Sequence, residues 1–172
     1  MKKVFTIFLM MLAGGSSIAQ PFNNYLDLDG IDDYLEDDFT GTNMPNGDFT
    51  VEFWLHSCTG TTTGVLIDAA GATVGSGFEM TYNHSVNVIS AIVRSSSTAG
   101  GNVTYNSIST NTWHHIAIVN NATSMELIIF IDGIPVDTSV VTGYAPSNRF
   151  FIGRRDYTSG GFLKVNIDEL RI

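Results

Sequence analysis

The sequence contains a single cysteine, Cys58, which excludes a disulfide bond within the chain. A lone cysteine beside a predicted strand is typically a small packed hydrophobe rather than a reactive thiol. Without disulfides, stability must come from a hydrophobic core, with or without a metal ion. The sequence therefore predicts one domain held together by its packing.

Long hydrophobic runs are also missing, apart from one at the amino terminus. After the basic residues Lys2 and Lys3, the segment Val4 to Ala13 is almost wholly apolar, and small residues follow. The run is shorter than the roughly 20 residues that a membrane-spanning helix needs. This order is typical of a secretory signal peptide, so we expect cleavage after residues 1–19 and a secreted or cell-surface domain over 20–172. The alternative is an uncleaved amino-terminal anchor.

Basic residues are scarce as well, with eight Lys and Arg against 17 Asp and Glu. Removing Lys2 and Lys3 from these eight leaves six basic residues, so the expected mature chain carries a formal charge of −11. Negative charge of this size repels phosphate backbones and anionic lipid head groups. We therefore expect no nucleic-acid partner and no membrane insertion after signal cleavage.

No part of the mature chain shows the apolar spacing of an amphipathic helix. Short alternating or wholly apolar segments recur instead, separated by turns rich in Gly, Ser, Thr and Asn. Ten or more such segments in one domain predict an all-β fold, a sandwich of two antiparallel sheets.

Three segments illustrate the expected packing. In F-T-V-E-F-W-L-H, residues 49–56, alternation turns the apolar residues inward and leaves Glu52, Trp54 and His56 on the other face. The segment 127–131 is apolar at every position, which predicts a mid-sheet strand covered on both sides. From 113 to 120, either the even-numbered or the odd-numbered side chains face the core, and alternation leaves both orientations open.

The most acidic stretch, Y-L-D-L-D-G-I-D-D-Y-L-E-D-D-F from position 25 to 39, does not fit an EF-hand loop. A loop starting at Asp27 has Asp32 instead of glycine at position six, and one starting at Tyr25 has no acid at position one. Asp29 and Gly30 predict a turn instead, in which the glycine adopts the left-handed conformation and reverses the chain.

Four segments, in order, resemble a known family. They are L-D-G-I-D-D-Y-L at 28–35, D-F-T-V-E-F-W-L at 48–55, T-W-H-H-I-A-I-V with M-E-L-I-I-F-I-D-G-I-P-V at 112–136, and F-F-I-G-R-R with N-I-D-E-L-R-I at 150–172. Together they resemble a laminin G-like domain of the concanavalin A-like lectin/glucanase superfamily, over nearly the whole mature chain. The resemblance implies a concanavalin A-like jelly roll whose first and last strands lie side by side.

The same resemblance implies a structural calcium ion. Many members of the superfamily hold Ca²⁺ on the side of the sandwich where the first and last strands meet, which would bring Asp168 to the turn at Asp29–Asp33. The implied ligands are Asp29, Asp33, the Gly30 carbonyl and Asp168, since Ca²⁺ takes about six to eight oxygen ligands. The alternative, turn-forming and solvated acids without a metal, stays open.

A hydrolase signature is missing. Glucanases of the superfamily carry Glu-x-Asp-x-Glu on one strand, and none of Glu36, Glu52, Glu79 and Glu126 has an acidic partner of that kind on a strand. The sequence also lacks a Gly-x-Ser-x-Gly elbow, and adjacent histidines at 114 and 115 point to opposite faces of a strand. We therefore expect that the protein is not an enzyme.

The resemblance then favours a secreted, non-catalytic binding or adhesion domain for an extracellular glycan or protein surface. Sugar binding uses exposed aromatic side chains beside polar groups. The candidate ligand-binding residues are Trp54, Tyr82, Tyr144, Arg154 and Tyr157, although aromatic residues on sandwich strands often pack in the core.

Two alternative functions are considered, with the more favoured one first. The first is a structural or assembly module of a surface protein, favoured because the chain stops at Ile172 within the final strand of the family pattern, as in a truncated frame. The second is a glycoside hydrolase of the same superfamily, which rests on the resemblance alone.

Overall fold

The computed structural model describes residues 24–37, 44–60, 63–70, 75–147, 149–155 and 161–172. The expected signal peptide and Tyr157 lie outside these residues. Within them, no helix is long and apolar enough to cross a membrane.

The described residues form twelve strands: β1 (Leu26–Asp29), β2 (Leu35–Asp37), β3 (Phe49–Ser57), β4 (Thr63–Ala70), β5 (Gly77–Asn83), β6 (Val88–Arg94), β7 (Gly100–Tyr105), β8 (Trp113–Asn121), β9 (Glu126–Ile131), β10 (Ile134–Val140), β11 (Phe150–Ile152) and β12 (Lys164–Arg171).

The strands form two six-stranded sheets. Sheet A has the order β1-β12-β3-β8-β9-β10, and sheet B has the order β2-β11-β4-β5-β6-β7. Every recorded strand pair is antiparallel. The predicted two-sheet antiparallel β-sandwich is confirmed.

The core lies between the two sheets, as the alternation predicts. On β3, the side chains of Val51, Phe53 and Leu55 are buried with at most 1% exposure, whereas Trp54 is only half-buried on the outer face. Because successive side chains of a strand point to opposite faces, one strand supplies both core and surface. The large side chains that sheet B contributes to the same core include Phe78, Met80 and Tyr82.

The structure settles the orientation of β8 and corrects that of β9. On β8, Ile116 and Ile118 are fully buried, so Trp113 and His115 lie on the outer face of sheet A. On β9, the outward side chain of Phe130 is only half-buried. The prediction that β9 is covered on both sides is therefore wrong for the described residues, because only its inner face packs against sheet B.

The first and last strands are neighbours, as the resemblance implies. β1 pairs with β12, with Leu26 opposite Ile167 and Asp29 opposite Lys164. The turn at Gly30, with φ of 79°, does not return β1 to β2, because β2 pairs with β11 in sheet B. The predicted reversal is therefore a passage from one sheet to the other.

Candidate functional site: an aromatic face on sheet A

The outer face of sheet A carries a row of side chains across three strands. Trp54 on β3 lies directly opposite Asp168 on β12 and His115 on β8. The rings of Trp54 and His115 meet at a tilt of 65°, with their centroids 5.3 Å apart. Residues directly opposite in an antiparallel pair share one face, so an aromatic ring here lies beside a carboxylate and an imidazole.

A second row, one pleat further along, extends the aromatic surface. His56 lies opposite Trp113, and their ring centroids are 5.3 Å apart. Tyr25, just before β1, contacts Trp113 with a centroid distance of 5.7 Å and is 42% exposed. We call Tyr25, Trp54, His56, Trp113 and His115 the aromatic face.

Charged side chains border the aromatic face on one side. Glu52 lies 3.7 Å from Nε2 of His115 and accepts a hydrogen bond of 3.3 Å from Nη1 of Arg171. Arg171 also donates to Glu169 at 2.9 Å. The carboxylate of Glu52 is therefore paired with neighbouring groups, which restrains the His115 ring beside Trp54.

The ligand-binding residues predicted from the sequence lie in different environments. Trp54 lies on the aromatic face. Tyr82 is fully buried, and its hydroxyl donates to Asn87 Oδ1 at 3.3 Å, so its assignment as a surface platform is wrong. Arg154 is used within the fold, because its guanidinium lies 4.3 Å from the centre of the Tyr34 ring.

Tyr144 lies at the opposite end of the sandwich from the aromatic face. Its ring packs against Phe49 with a centroid distance of 5.4 Å, and its hydroxyl is buried without a hydrogen-bond partner among the described residues. Burial raises the pKa of this hydroxyl well above its ordinary value of 10. Tyr144 therefore does not belong to the aromatic face.

The predicted calcium ligands are only partly brought together. Carboxylate atoms of Asp29, Asp32 and Asp33 lie within 4.8 Å of one another at the turn after β1. Asp168 does not join them, because Lys164 is the residue opposite Asp29 and Asp168 is four positions further along β12. At about 3.3 Å per residue, Asp168 is roughly 13 Å away along the strand. Asp168 is therefore not part of this carboxylate group, which contains Asp32 in addition to Asp29 and Asp33.

The three acids also have local roles in the turn. Asp29 Oδ1 accepts the N–H of Ile31 at 2.6 Å, and Asp33 Oδ2 accepts the N–H of Asp29 at 3.3 Å. Carboxylates that accept backbone hydrogen bonds still have free lone pairs for a hard cation. The donor chemistry fits Ca²⁺, with three carboxylates and the remaining positions left to water and backbone oxygens.

Three side chains next to β8 are connected in the order serine, histidine and aspartate, as in a catalytic triad. Ser109 Oγ lies 2.6 Å from His114 Nε2, and His114 Nδ1 lies 2.8 Å from Asp132 Oδ2. Burial acts to raise the pKa of Asp132, but hydrogen bonds from His114 and from the backbone N–H of His115 outweigh it and hold the pKa below the ordinary 3.8.

Two observations separate this arrangement from a serine hydrolase triad. The side chain of Asp132 is 48% exposed, whereas the carboxylate of a catalytic triad is buried. Acyl transfer also needs backbone donors for the oxyanion, and the N–H of Asn111 near Ser109 already donates to the Ser57 carbonyl at 2.8 Å. The contacts connect the segment before β8 to the β9–β10 turn.

Sequence reasoning missed most of the aromatic face. It selected Trp54 but not Trp113, Tyr25 or the two histidines. The alternation of W-H-H contained a signal, because Trp113 and His115 must share one face. The missing information was the pairing of β3 with β8, which places that face beside Trp54.

The two antiparallel six-stranded sheets with neighbouring terminal strands define the class of lectin-type β-sandwich domains. A laminin G family model, described as concanavalin A-like lectin/glucanases superfamily, matches residues 29–172. The chain therefore belongs to this family, and the resemblance stated from the motifs is confirmed.

Solved structures of botulinum neurotoxin binding domains are similar. The serotype D domain has a TM-score of 0.66 at 15% identity, covering 87% of this chain and 39% of that one. Botulinum neurotoxin type C, whose cell entry is dependent upon interaction with two ganglioside molecules, gives 0.56 at 17%, covering 72% and 32%. The DC binding domain in complex with rat synaptotagmin II gives 0.55 at 16%, covering 72% and 31%. The chain spans less than two fifths of these proteins, and at this identity the likeness shows the fold alone. No match was found among curated protein sequences.

Proposed function

We propose that this chain is a secreted, non-catalytic domain that binds neutral extracellular glycans through the aromatic face of sheet A. The observation that carries the proposal is the half-buried Trp54 between Asp168 and His115, with Trp113 in the next row. On the outer face of a sandwich, aromatic side chains of this size are not needed for the core.

The chemistry of the face suits a sugar. The C–H side of a pyranose packs on an indole ring, while its hydroxyl groups need polar partners nearby. Asp168 supplies an acceptor and His115 a ring nitrogen beside Trp54. The formal net charge of −9 disfavours anionic sugars, so neutral glycans are the expected class.

The comparisons support a binding role in general terms. The neurotoxin domains with this fold act in recognition, one with gangliosides and one with a protein, synaptotagmin. The dependence of toxin cell entry on gangliosides supports an extracellular location for a domain of this fold, in agreement with the expected signal peptide. Amino-terminal sequencing of the exported protein tests that location, because an intact residue 1 would contradict cleavage.

A glycan array on the purified domain tests the proposal. Burying a Trp side chain against a ligand contributes about 1.5–3 kcal/mol, so Trp54→Ala should weaken binding by roughly ten- to a hundredfold. Val86→Ala is the control, because Val86 is 57% exposed on a turn of sheet B. Circular dichroism must show that both variants are folded.

Two outcomes would overturn this assignment. If the wild-type domain binds no glycan, the structural or assembly module becomes the better interpretation. If Trp54→Ala binds as tightly as the wild type, binding does not involve the aromatic face.

The proposal also includes a metal ion, with a revised set of ligands. We propose that Asp29, Asp32 and Asp33 hold a structural Ca²⁺ at the turn after β1. The proximity of their carboxylates, within 4.8 Å, supports it. The ion would link the turn between the two sheets and would not take part in chemistry.

The contacts of Ser109, His114 and Asp132 raise acyl transfer as a second candidate function. We propose instead that these residues stabilise the fold, since Asp132 is half-exposed. A fluorophosphonate probe distinguishes the two, because it labels only an activated serine.

A further inference from the structure

β12 departs from regular pairing beside the aromatic face. Asp168 lies opposite Trp54, but the next recorded pair joins Arg171 to Glu52. Two steps along β3, from 54 to 52, therefore correspond to three steps along β12, from 168 to 171. The extra residue makes a β-bulge, a feature that re-aims side chains and is common next to functional sites.

The bulge contains a backbone conformation that residues with side chains rarely adopt. Glu169 has a φ of 50°, in the left-handed region, and its N–H donates to Asp168 Oδ1 at 2.8 Å. For a residue with a long side chain this conformation is unfavourable and persists only where the surrounding structure holds it. Strained residues of this kind cluster at binding sites, and this one directly follows the residue opposite Trp54.

The bulge decides which side chains of β12 face outward. In a regular strand, residues 168 and 170 share one face and residue 171 points to the other. Because of the extra residue, Leu170 packs against the core instead, and Arg171 lies on the outer face opposite Glu52. The bulge therefore places a guanidinium group at the border of the aromatic face.

Arg171 connects the bulge to His115 through one carboxylate. Its Nη2 donates to Glu169 Oε2 at 2.9 Å, and its Nη1 donates to Glu52 Oε1 at 3.3 Å. The other oxygen of Glu52, Oε2, lies 3.7 Å from Nε2 of His115. With one oxygen held by Arg171, the carboxylate of Glu52 presents the second oxygen to the imidazole.

This contact favours one tautomer of the neutral His115 ring. The distance of 3.7 Å is longer than a hydrogen bond, but a negative charge beside Nε2 favours the proton on that nitrogen. Nδ1 then has a free lone pair and accepts hydrogen bonds. Among the described residues, Nδ1 of His115 has no hydrogen-bond partner and is not one of the buried unsatisfied atoms, so a ligand can reach it. The side chain is 29% exposed.

We propose that Arg171 is a positioning residue: through Glu52 it holds the His115 ring with Nδ1 as a hydrogen-bond acceptor, and it thereby determines which sugars the aromatic face selects. This inference rests on the glycan-binding function proposed above. A sugar ring packed on Trp54 with a hydroxyl directed at Nδ1 gains a hydrogen bond, and an epimer whose hydroxyl points elsewhere does not. The selected class is neutral pyranoses that carry a hydroxyl donor at that ring position.

Imidazole ¹⁵N NMR of the purified protein without sugar tests the positioning. At about pH 8, where histidine side chains are largely neutral, the shifts of the two ring nitrogens identify the protonated one. We expect His115 to carry its proton on Nε2, and we expect this preference to decrease in Arg171→Met and to be partly restored in Arg171→Lys. Lys164→Met is the matched control, because it removes one positive charge from the other end of β12. A wild-type proton on Nδ1, or an unchanged tautomer in Arg171→Met, would overturn the proposal.

A titration with methyl glycosides tests the selectivity. The indole N–H signal of Trp54 reports binding of the methyl glycosides of glucose, galactose and mannose, which differ in the orientation of single hydroxyl groups. In the wild type we expect the Kd values of the best and the worst glycoside to differ by about 2- to 10-fold, the contribution of one neutral hydrogen bond. This ratio should fall toward one in Arg171→Met and in Glu52→Gln but not in Lys164→Met. A ratio that Arg171→Met leaves unchanged would contradict the inference.

The two proposals fail separately. If neither the glycan array nor any glycoside shows binding, the binding function and the selectivity both fall, while the tautomer measured without sugar still decides whether Arg171 positions His115. If the glycosides bind but their Kd ratio ignores Arg171, glycan binding stands and the role of Arg171 in selectivity is removed.

Discussion

Replacement of His84 by leucine should reduce the dependence of stability on pH in the weakly acidic range. His84 follows β5 and is only 5% exposed, with its ring 4.7 Å from that of Tyr82. Neither ring nitrogen has a hydrogen-bond partner, although the backbones of Cys58 and Lys164 lie nearby. Burial lowers the pKa of His84 below its ordinary 6.5 and outweighs the backbone groups of Cys58 and Lys164, which act to raise it. The Lys164 charge acts in the same direction as burial.

The direction of the effect follows from proton binding. As the pH falls below 6.5, the unfolded chain takes up the His84 proton before the folded chain does. The free energy of unfolding is therefore highest above pH 6.5 and decreases as the pH falls toward the lowered folded-state pKa. One proton gives a slope of at most about 1.4 kcal/mol per pH unit.

Urea unfolding monitored by tryptophan fluorescence provides the assay, between about pH 8 and pH 5, where histidine is the side chain expected to titrate. In His84→Leu the slope from this site disappears, and removal of an unpartnered polar ring leaves neutral-pH stability unchanged or higher. Val86→Ala is the comparison, because this exposed aliphatic side chain does not titrate and its loss should leave the slope unchanged. An identical slope in His84→Leu and the wild type would refute the reasoning.

Three other changes test the remaining structural claims. A chelator should lower the unfolding midpoint of the wild type but not of Asp33→Asn, and an unaffected wild type would contradict bound Ca²⁺. Ser109→Ala should lower the free energy of unfolding by about 1 kcal/mol, and labelling of wild-type Ser109 by a fluorophosphonate would contradict a structural role. Gly77→Ala should destabilise by about 1–3 kcal/mol or more, because its φ is 110° and a Cβ would clash with the Ala69 carbonyl oxygen. Gly47→Ala, whose Cβ would meet nothing within 4 Å, should leave the midpoint in urea unchanged.

Local alternation was sufficient to predict much of the fold. The pattern around Trp54 gave the correct faces of β3, because one residue per pleat alternates whatever the partner strand is. The same rule contained the answer for Tyr82, since Phe78, Met80 and Tyr82 must share a face and the first two are core residues. Tyr82 was assigned to the surface because its aromatic character was given more weight than the alternation of inward and outward side chains along β5.

Long-range register could not be derived in this way. The resemblance correctly made the first and last strands neighbours but misplaced Asp168, because a shift of four positions along β12 moves a side chain by about 13 Å.

The division of roles along β3 explains why binding can vary here without loss of the fold. Phe53 and Trp54 are adjacent, but Phe53 is 1% exposed between the sheets whereas Trp54 faces outward between Asp168 and His115. Truncating Phe53 leaves a cavity that the surrounding sheet cannot fully close, whereas truncating Trp54 removes contacts on the outer face, including that with the His115 ring, and leaves the core filled. Outward positions on sheet A are therefore free to change with the ligand while inward positions are held by packing, and specificity should reside in side chains that alternate with the core.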